Sequence, residues 1–359
     1  MDRGDAVALL GRAPVVHVAT TSPCGEPVAR TLHAVVVELD GQPAIAFHGA
    51  PTGEKTLAVG REAVLWAEEI VAAIPSWFVD EERACPATTL YRSAQVHGRL
   101  EEVEDPRHKA VVLAALMAKH QPEGRHAPID ADHPLYRKAI ASILVAKVAL
   151  ERVDGKAKLG QNRTPVERAR ILELLWRRGL TADPQAIEAI RRACPDTPTP
   201  AFLRAPEGAT LCCAPDPSDA PAAVALLSDT YWNDDVGPEC LHRAHLESCA
   251  WVGARDERGR LVATARATSD GAKRAWIYDV CVAPEWRGRG LGEALVRLLV
   301  DHPRVRDVRW VWLSTRDAHA FYARLGFVAA DALPPGRYTS TSMRLERQRQ
   351  PPSGGASGS

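Results

Sequence analysis

In the first part of the chain, short runs alternate apolar with polar side chains, the period of strands with one buried face. Residues 15–20 read as a strand, 22–27 as a turn, and 28–39 as one long strand, before Asp40 and Gly41 make a hairpin turn into 43–48. Further strands fit 63–69, 91–103 and 143–153, and helices fit 5–11, 106–119 and 134–140. Six strands with few helices between them predict a closed barrel.

Helical spacing takes over at 165–179 and 184–193. A proline-rich stretch without a period follows at 194–208, the composition of a semi-rigid linker. Beyond it the pattern is mixed: a strand at 209–214, helices at 217–227 and 238–248, and strands at 249–254, 261–267 and 275–282. A helix from Leu291, a strand at 309–314 and a short helix before Phe327 complete it. Ser218 and Asp219 are candidate caps of the helix at 217–227. The expectation is two domains, an all-β/α+β barrel followed by an α+β domain with a mixed central sheet flanked by helices. The expected bounds are 1–165 for the barrel, 166–207 for a helical extension and linker, 208–346 for the second domain, and 347–359 for a disordered tail.

Charge narrows the function classes more than composition does. With 45 Lys+Arg against 45 Asp+Glu, the chain lacks the basic excess of a nucleic-acid partner. No apolar run approaches the roughly 20 residues that cross a bilayer. The N-terminus also lacks a basic stretch followed by an apolar one, so the expectation is a cytoplasmic protein with no membrane partner. Eight cysteines show no Cys-x-x-Cys and no Cys/His ligand spacing, which points to neither a disulfide framework nor a metal site.

The candidate chemistry concentrates at 276–296. An apolar, β-branched run breaks at Pro284, passes through a glycine-rich basic turn, and resumes with helical spacing at Leu291, Leu295, Leu298 and Leu299. Gly288, Gly290 and Gly292 let backbone N–H groups approach a ligand, and the helix start adds the positive end of its dipole. A diphosphate suits such a turn. The dinucleotide and Walker registers are both absent: the spacing is Gly288-x-Gly290-x-Gly292, and no Gly-Lys-Ser/Thr follows.

Arg287, Gly290 and Gly292 instead resemble the Arg/Gln-x-x-Gly-x-Gly/Ala signature of the GCN5-related N-acetyltransferases. The stretch 310–327, closing on Leu325, Gly326 and Phe327, is similar to that family's closing motif. The resemblance implies acetyl-CoA as cosubstrate, its diphosphate on Arg287, Gly288, Arg289, Gly290, Leu291 and Gly292, and its pantetheine arm along Val280 and Val282. It implies Tyr322 as the acid that protonates the departing thiolate when an amine attacks directly; a packed aromatic beside Phe321 and Phe327 is the other reading. Asp279 is a candidate base or substrate-amine anchor, or a structural carboxylate. Tyr231, Trp232 and His319 are candidates to line the pocket of a small-molecule amine acceptor, or else are ordinary packed residues. Thr315, Arg316 and Asp317 stand where many members carry an asparagine, a departure at the contact to the pantetheine arm.

The first domain resembles the split-barrel flavoproteins related to pyridoxamine-phosphate oxidase, within them the nitroimidazole-resistance group. The likeness rests on Arg30, Thr31, Leu32 and His33, on the loop from Phe47 to Lys55, and on Tyr91, Arg92 and Ser93 through Arg99. The stretch 158–165 is also similar to flavin-binding proteins of the PaiB type, with Gly160 in place of the usual serine. This resemblance implies FMN, its phosphate held by Arg30, Thr31, Lys55 and Ser93, in a homodimer with oxidoreductase activity. Haem or a deazaflavin are the other cofactor choices, with His33 and His48 as possible contacts. The whole then reads as a bifunctional oxidoreductase and N-acetyltransferase. The alternative is an acetyltransferase regulated by a non-catalytic flavin- or haem-binding sensor barrel.

Overall fold

The structure is a computed structural model that describes residues 1–52, 56, 58–329 and 332. They fall into two compact units, one from Met1 to Trp312 and one beginning at Leu313. The first unit opens with α1 (Arg3–Arg12), capped by Asp2, whose carboxylate accepts from Asp5 N at 2.8 Å. Nine strands follow: β1 (Val16–Thr21), β2 (Pro27–Leu32), β3 (Ala34–Leu39), β4 (Gln42–Gly49), β5 (Glu62–Ile74), β6 (Thr88–Arg99), β7 (Glu101–Glu102), β8 (Leu144–Ala149) and β9 (Arg152–Lys158).

These strands form two sheets, β2-β1-β5-β6-β9 and β3-β4-β8-β7, rather than the single closed ring of six expected. The runs read as long single strands at 28–39, 91–103 and 143–153 each break once, at His33, at Leu100 and at Leu150–Glu151, and send their parts to different sheets. A twisted strand that serves two packed sheets has to bend at the corner, and the apolar alternation carries no mark of that bend. Leu9 and Leu10 of α1 join Val16, Leu65, Val96 and Val148 in one core. Helix α2 (Pro106–His120) lays Val112 and Leu116 on Val35, Val37 and Val145 of the four-stranded sheet, and α3 (Arg137–Ser142) leads into β8.

Two helices follow. α4 (Pro165–Arg178) starts with a capping box between Thr164 and Glu167, and α5 (Asp183–Ala193) packs beside it. Arg178 of α4 donates to Ala73 O of β5 at 2.6 Å and to both oxygens of Asp183 at 2.9 and 2.6 Å. The proline-rich stretch is not loose. Arg168 binds Asp196 and Thr197, at 2.5 and 2.8 Å, and the Phe202 ring stacks on Trp176 at 4.5 Å.

A third sheet runs β10 (Ala209–Cys212), β11 (Ala250–Asp256), β12 (Leu261–Ser269), β13 (Arg274–Val282) and β14 (Trp310–Trp312) in that order. All pairs are antiparallel except β13 with β14. It carries α6 (Ala220–Leu226), α7 (Pro238–Leu246) and α8 (Leu291–Val300). Asp216 caps the turn 217–219 that leads into α6 and forms a capping box with Asp219, whose carboxylate accepts from Asp216 N at 2.9 Å; Asp219 stands at the N-cap position of α6 without a side-chain bond to that helix, and Ser218 is not the cap. Among the described residues of the second unit, α9 (His319–Arg324) is the single regular element. No described helix is long and apolar enough to cross a membrane.

Candidate functional site

The glycine-rich turn forms as its sequence dictates. Gly288 and Gly290 take φ of +74° and +83°, while Arg289 between them does not, so left-handed and ordinary conformations alternate. That alternation turns successive N–H groups toward one side, which makes an anion-binding concavity. Gly290 is the N-cap of α8 and no side chain caps that end. The first intrahelical bond is Ala294 N to Gly290 O, at 3.1 Å, which leaves the N–H groups of the first turn without intrahelical acceptors. Arg287 folds back to donate from Nε to Val282 O at 3.0 Å, fixing the turn to the end of β13, and the Arg289 guanidinium lies 5.1 Å over the Trp286 ring.

β13 has nine residues, but only Arg274, Ala275 and Trp276 pair with β14. Beyond Trp276 its edge on that side has no strand partner among the described residues, and Val280 and Val282 lie on that stretch. Its other edge carries a bulge: Thr264 faces Cys281 and Arg266 faces Tyr278, so three steps on β13 match two on β12. The extra residue falls at Asp279, which takes φ +55°. Such a conformation costs a non-glycine residue about 1–2 kcal/mol. Three donors hold it in place. Arg266 Nε gives to Asp279 Oδ2 at 2.6 Å, and Asn233 Nδ2 and Trp232 Nε1 give to Oδ1 at 3.1 and 3.3 Å. Below Arg266, His245 is buried with its Nδ1 2.8 Å from Leu241 O and its Nε2 3.4 Å from Thr264 Oγ1; burial pushes its pKa down.

The structure thus brings Asp279 and Trp232 together, with Tyr231 edge-on to Trp232 at 5.0 Å. Both Asp279 oxygens are committed to neighbours, the geometry of a carboxylate that positions a loop. In the second unit, Tyr322 of α9 is half-buried and meets Phe321 and Phe327 edge-on at 4.9 and 5.7 Å, while His319 is exposed at the helix start. Two residues were missed in the sequence, Arg266 and Asn233. Arg266 had a signal, since a charge inside the apolar run 261–267 needs a partner.

In the first domain Arg30 lies on the opposite face of its sheet from Thr31 and Ser93. The cross-strand row through Arg30 runs Val18, Leu65, Val96, and the row through Thr31 runs His17, Trp66, Gln95. Ser93 lies two residues from Gln95, hence on the Thr31 face, opposite Arg30. Arg30 gives one N–H to Ala29 O at 2.7 Å and lines a cavity of about 20 Å³ with Val18, Phe47 and Leu100, too small for a flavin ring. Thr31 Oγ1 is 3.0 Å from His17 Nδ1, and His33 stacks on His120 at 4.3 Å. Lys55 lies outside the described residues.

Comparison with known proteins settles the family. The family model "Pyridoxamine 5'-phosphate oxidase" matches residues 2–157, and "Acetyltransferase (GNAT) family" matches residues 215–327. The chain joins a pyridoxamine 5′-phosphate oxidase-like domain to a GNAT acetyltransferase domain. A solved structure belonging to the GNAT family, from Xanthomonas campestris, is 36% identical over 36% of this chain and 93% of its own, with a TM-score of 0.31. The GCN5-related N-acetyltransferase 2, chloroplastic, of Arabidopsis thaliana is 44% identical over 78 residues, 21% of this chain and 30% of its own length. On the oxidase-like side, the FAD and heme binding protein of Mycobacterium smegmatis is 20% identical over 44% of this chain and 71% of its own, with a TM-score of 0.35. The chain spans 30% to 45% of the first curated relatives it matches. The GNAT match contains the turn, the kinked β13 and the Asp279 cluster.

Proposed function

We propose that the GNAT domain transfers the acetyl group of acetyl-CoA to a small-molecule amine. The observation that carries this reading is the uncapped start of α8 beside a β13 edge that, beyond Trp276, has no strand partner among the described residues. Diphosphate oxygens fit the free N–H groups, with Arg287 and Arg289 as counter-charges. The amide of the pantetheine arm fits the open edge at Val280 and Val282, as an added strand would. The amine nitrogen then attacks the thioester carbon, the C–S bond breaks, and the thiolate takes its proton from the phenol of Tyr322. The attacking nitrogen, an ammonium in the tetrahedral adduct, loses its proton to solvent as the amide forms, and a proton from solvent restores the Tyr322 phenol. Asp279 acts here through Trp232 and Asn233, by fixing the acceptor loop. Gly290→Val forces a β-branched residue into positive φ at the phosphate site, so calorimetry should show acetyl-CoA affinity falling more than about tenfold. Tyr322→Phe should bind acetyl-CoA normally and lose about 10²–10⁴-fold in turnover. Wild-type protein that binds no acetyl-CoA ends the reading.

The oxidase-like domain is proposed to bind FMN as a homodimer; Arg30 lies on the opposite face of its sheet from Thr31 and Ser93, an arrangement to which a second subunit would add the remaining contacts. Lys55→Ala should weaken FMN by roughly ten- to a hundred-fold in a fluorescence titration. No uptake by the wild type refutes the proposal. Bound flavin that NAD(P)H does not reduce supports the sensor alternative, for which α4, bonded to Ala73 O of β5 and to Asp301 just past α8, supplies a route.

A further inference from the structure

The glycine-rich turn has a cavity on each flank, and the proline-rich linker walls both of them. Pro206 stands at the divide: it lines the two cavities, and a Cβ added to Gly290 would lie 3.9 Å from its Cγ. The first cavity, of about 540 Å³, runs along α8 from Gly290 to Asp301, with Phe202 to Pro206 of the linker as its other wall. That is the volume of a small-molecule site, and the helix rises about 16 Å along it. Four charged side chains line it, and three are committed: Arg297 pairs with Glu293 at 2.6 Å, and Asp301 accepts from Trp176 Nε1 at 2.6 Å. The fourth is Arg204, which is exposed and whose guanidinium has no partner among the described residues. The second cavity, of about 650 Å³, is lined by Glu207, Asp256 and Glu257 together with Arg258 and Arg289. Asp256 is paired with Arg260 at 3.1 Å, which leaves the carboxylates of Glu207 and Glu257 without a cation partner among the described residues. The free group on the first flank is a cation; a phosphate on the second meets two free carboxylates.

We infer that the linker recognises the 3′-phosphoadenosine end of the coenzyme, with the adenine in the first cavity beside Phe202 and Ala205 and the 3′-phosphate on Arg204. The inference rests on the acetyltransferase reading above and adds a binding residue from outside 215–327, the stretch matched to the GNAT family. In coenzyme A the diphosphate and the 3′-phosphate hang from one ribose, on O5′ and O3′, so whatever holds the second has to stand close to the turn that holds the first. Arg204 does: it is two residues from Pro206, at most about 7 Å along the chain. A phosphate monoester carries about −1.5 to −2 charges near pH 7, and a guanidinium can bond two of its oxygens at once. The linker is also held in place for this task. Leu203 is buried beside Arg204, and the Phe202 ring stacks on Trp176 at 4.5 Å, so Arg204 projects from an anchored stretch.

The test is calorimetry on the full chain with acetyl-CoA and with acetyl-dephospho-CoA, which lacks only the 3′-phosphate. Wild type should bind the first about ten- to a hundredfold more tightly. Arg204→Ala should lose most of that preference by weakening acetyl-CoA alone, and Arg204→Lys should keep part of it, because a point charge replaces a two-pronged contact. Glu257→Gln, on the other flank, should leave the preference as it is. Equal binding of the two coenzymes by wild type overturns the inference, as does an Arg204→Ala protein that keeps the preference or weakens both coenzymes alike. A preference that shifts in Glu257→Gln and not in Arg204→Ala puts the 3′-phosphate on the other flank and also overturns it. Failure of the wild type to bind either coenzyme strikes instead at the acetyltransferase reading itself.

Discussion

His302 shows how one residue's surroundings set a pH dependence for the whole first unit. It is 4% exposed, edge-on to Trp176 at 5.6 Å, and its Nδ1 accepts from Arg304 N at 3.2 Å. Burial, then the charges of Arg306 and Arg304, push its pKa down to about 4. The unfolded chain takes up a proton near pH 6.5 while the folded chain does not, so this residue costs nothing above that pH and stability falls as pH drops toward 4. Between pH 6.5 and 5 the loss from His302 is about 2 kcal/mol. Urea unfolding at pH 7.5 and pH 5 should show the wild type losing about that much more than His302→Gln. Equal losses in the two proteins would remove His302 as the cause. Single residues differ in how far their sequence context tells their role. Gly290 needs left-handed backbone wherever it sits in such a turn, so its place was legible. Arg30 and Ser93 looked like partners because both fit a motif, and only the register of β2, β1, β5 and β6 shows them on opposite faces.

At the scale of elements, what was legible is what depends on local period. The helices at 106–119, 165–179 and 184–193 lie within a residue or so of their expected bounds, because each has an apolar stripe and a cap or proline at its start. The order of strands and helices from β10 to α8 was legible for the same reason. The corners at His33, Leu100 and Leu150–Glu151 were not, since a strand that changes sheets keeps its alternation nearly intact. The bulge in β13 was also silent. It depends on Arg266, thirteen residues earlier, and on a loop 46 and 47 residues earlier, at Asn233 and Trp232. That bulge gives Asp279 its left-handed backbone and, with the early end of pairing to β14, opens the edge on which the proposed pantetheine site depends.

At the scale of the molecule, the proline-rich composition of 194–208 described a semi-rigid linker, and the packing around α4 ties that stretch down. Trp176, 3% exposed, is the centre of that packing. Its Nε1 donates to Asp301 Oδ2 at 2.6 Å just past the end of α8, its ring carries Phe202, and its backbone carbonyl accepts from Arg306 at 2.8 Å. Two residues on, Arg178 holds Ala73 O of β5 at 2.6 Å. One helix therefore ties a strand of the oxidase-like domain to the helix that starts at the glycine-rich turn. If those ties couple the two sheets, wild-type protein should unfold in a single calorimetric transition across Met1 to Trp312. Trp176→Ala deletes a buried indole, at a cost of about 3–5 kcal/mol, and should split that transition into two. Trp176→Phe retains a ring for Phe202 to stack on and loses only the bond to Asp301, whose carboxylate is exposed and regains water. Its transition should stay single, at a lower midpoint. Two transitions in the wild type would mean that the helix is a spacer between domains that unfold independently, and a flavin signal could not reach α8 by this route.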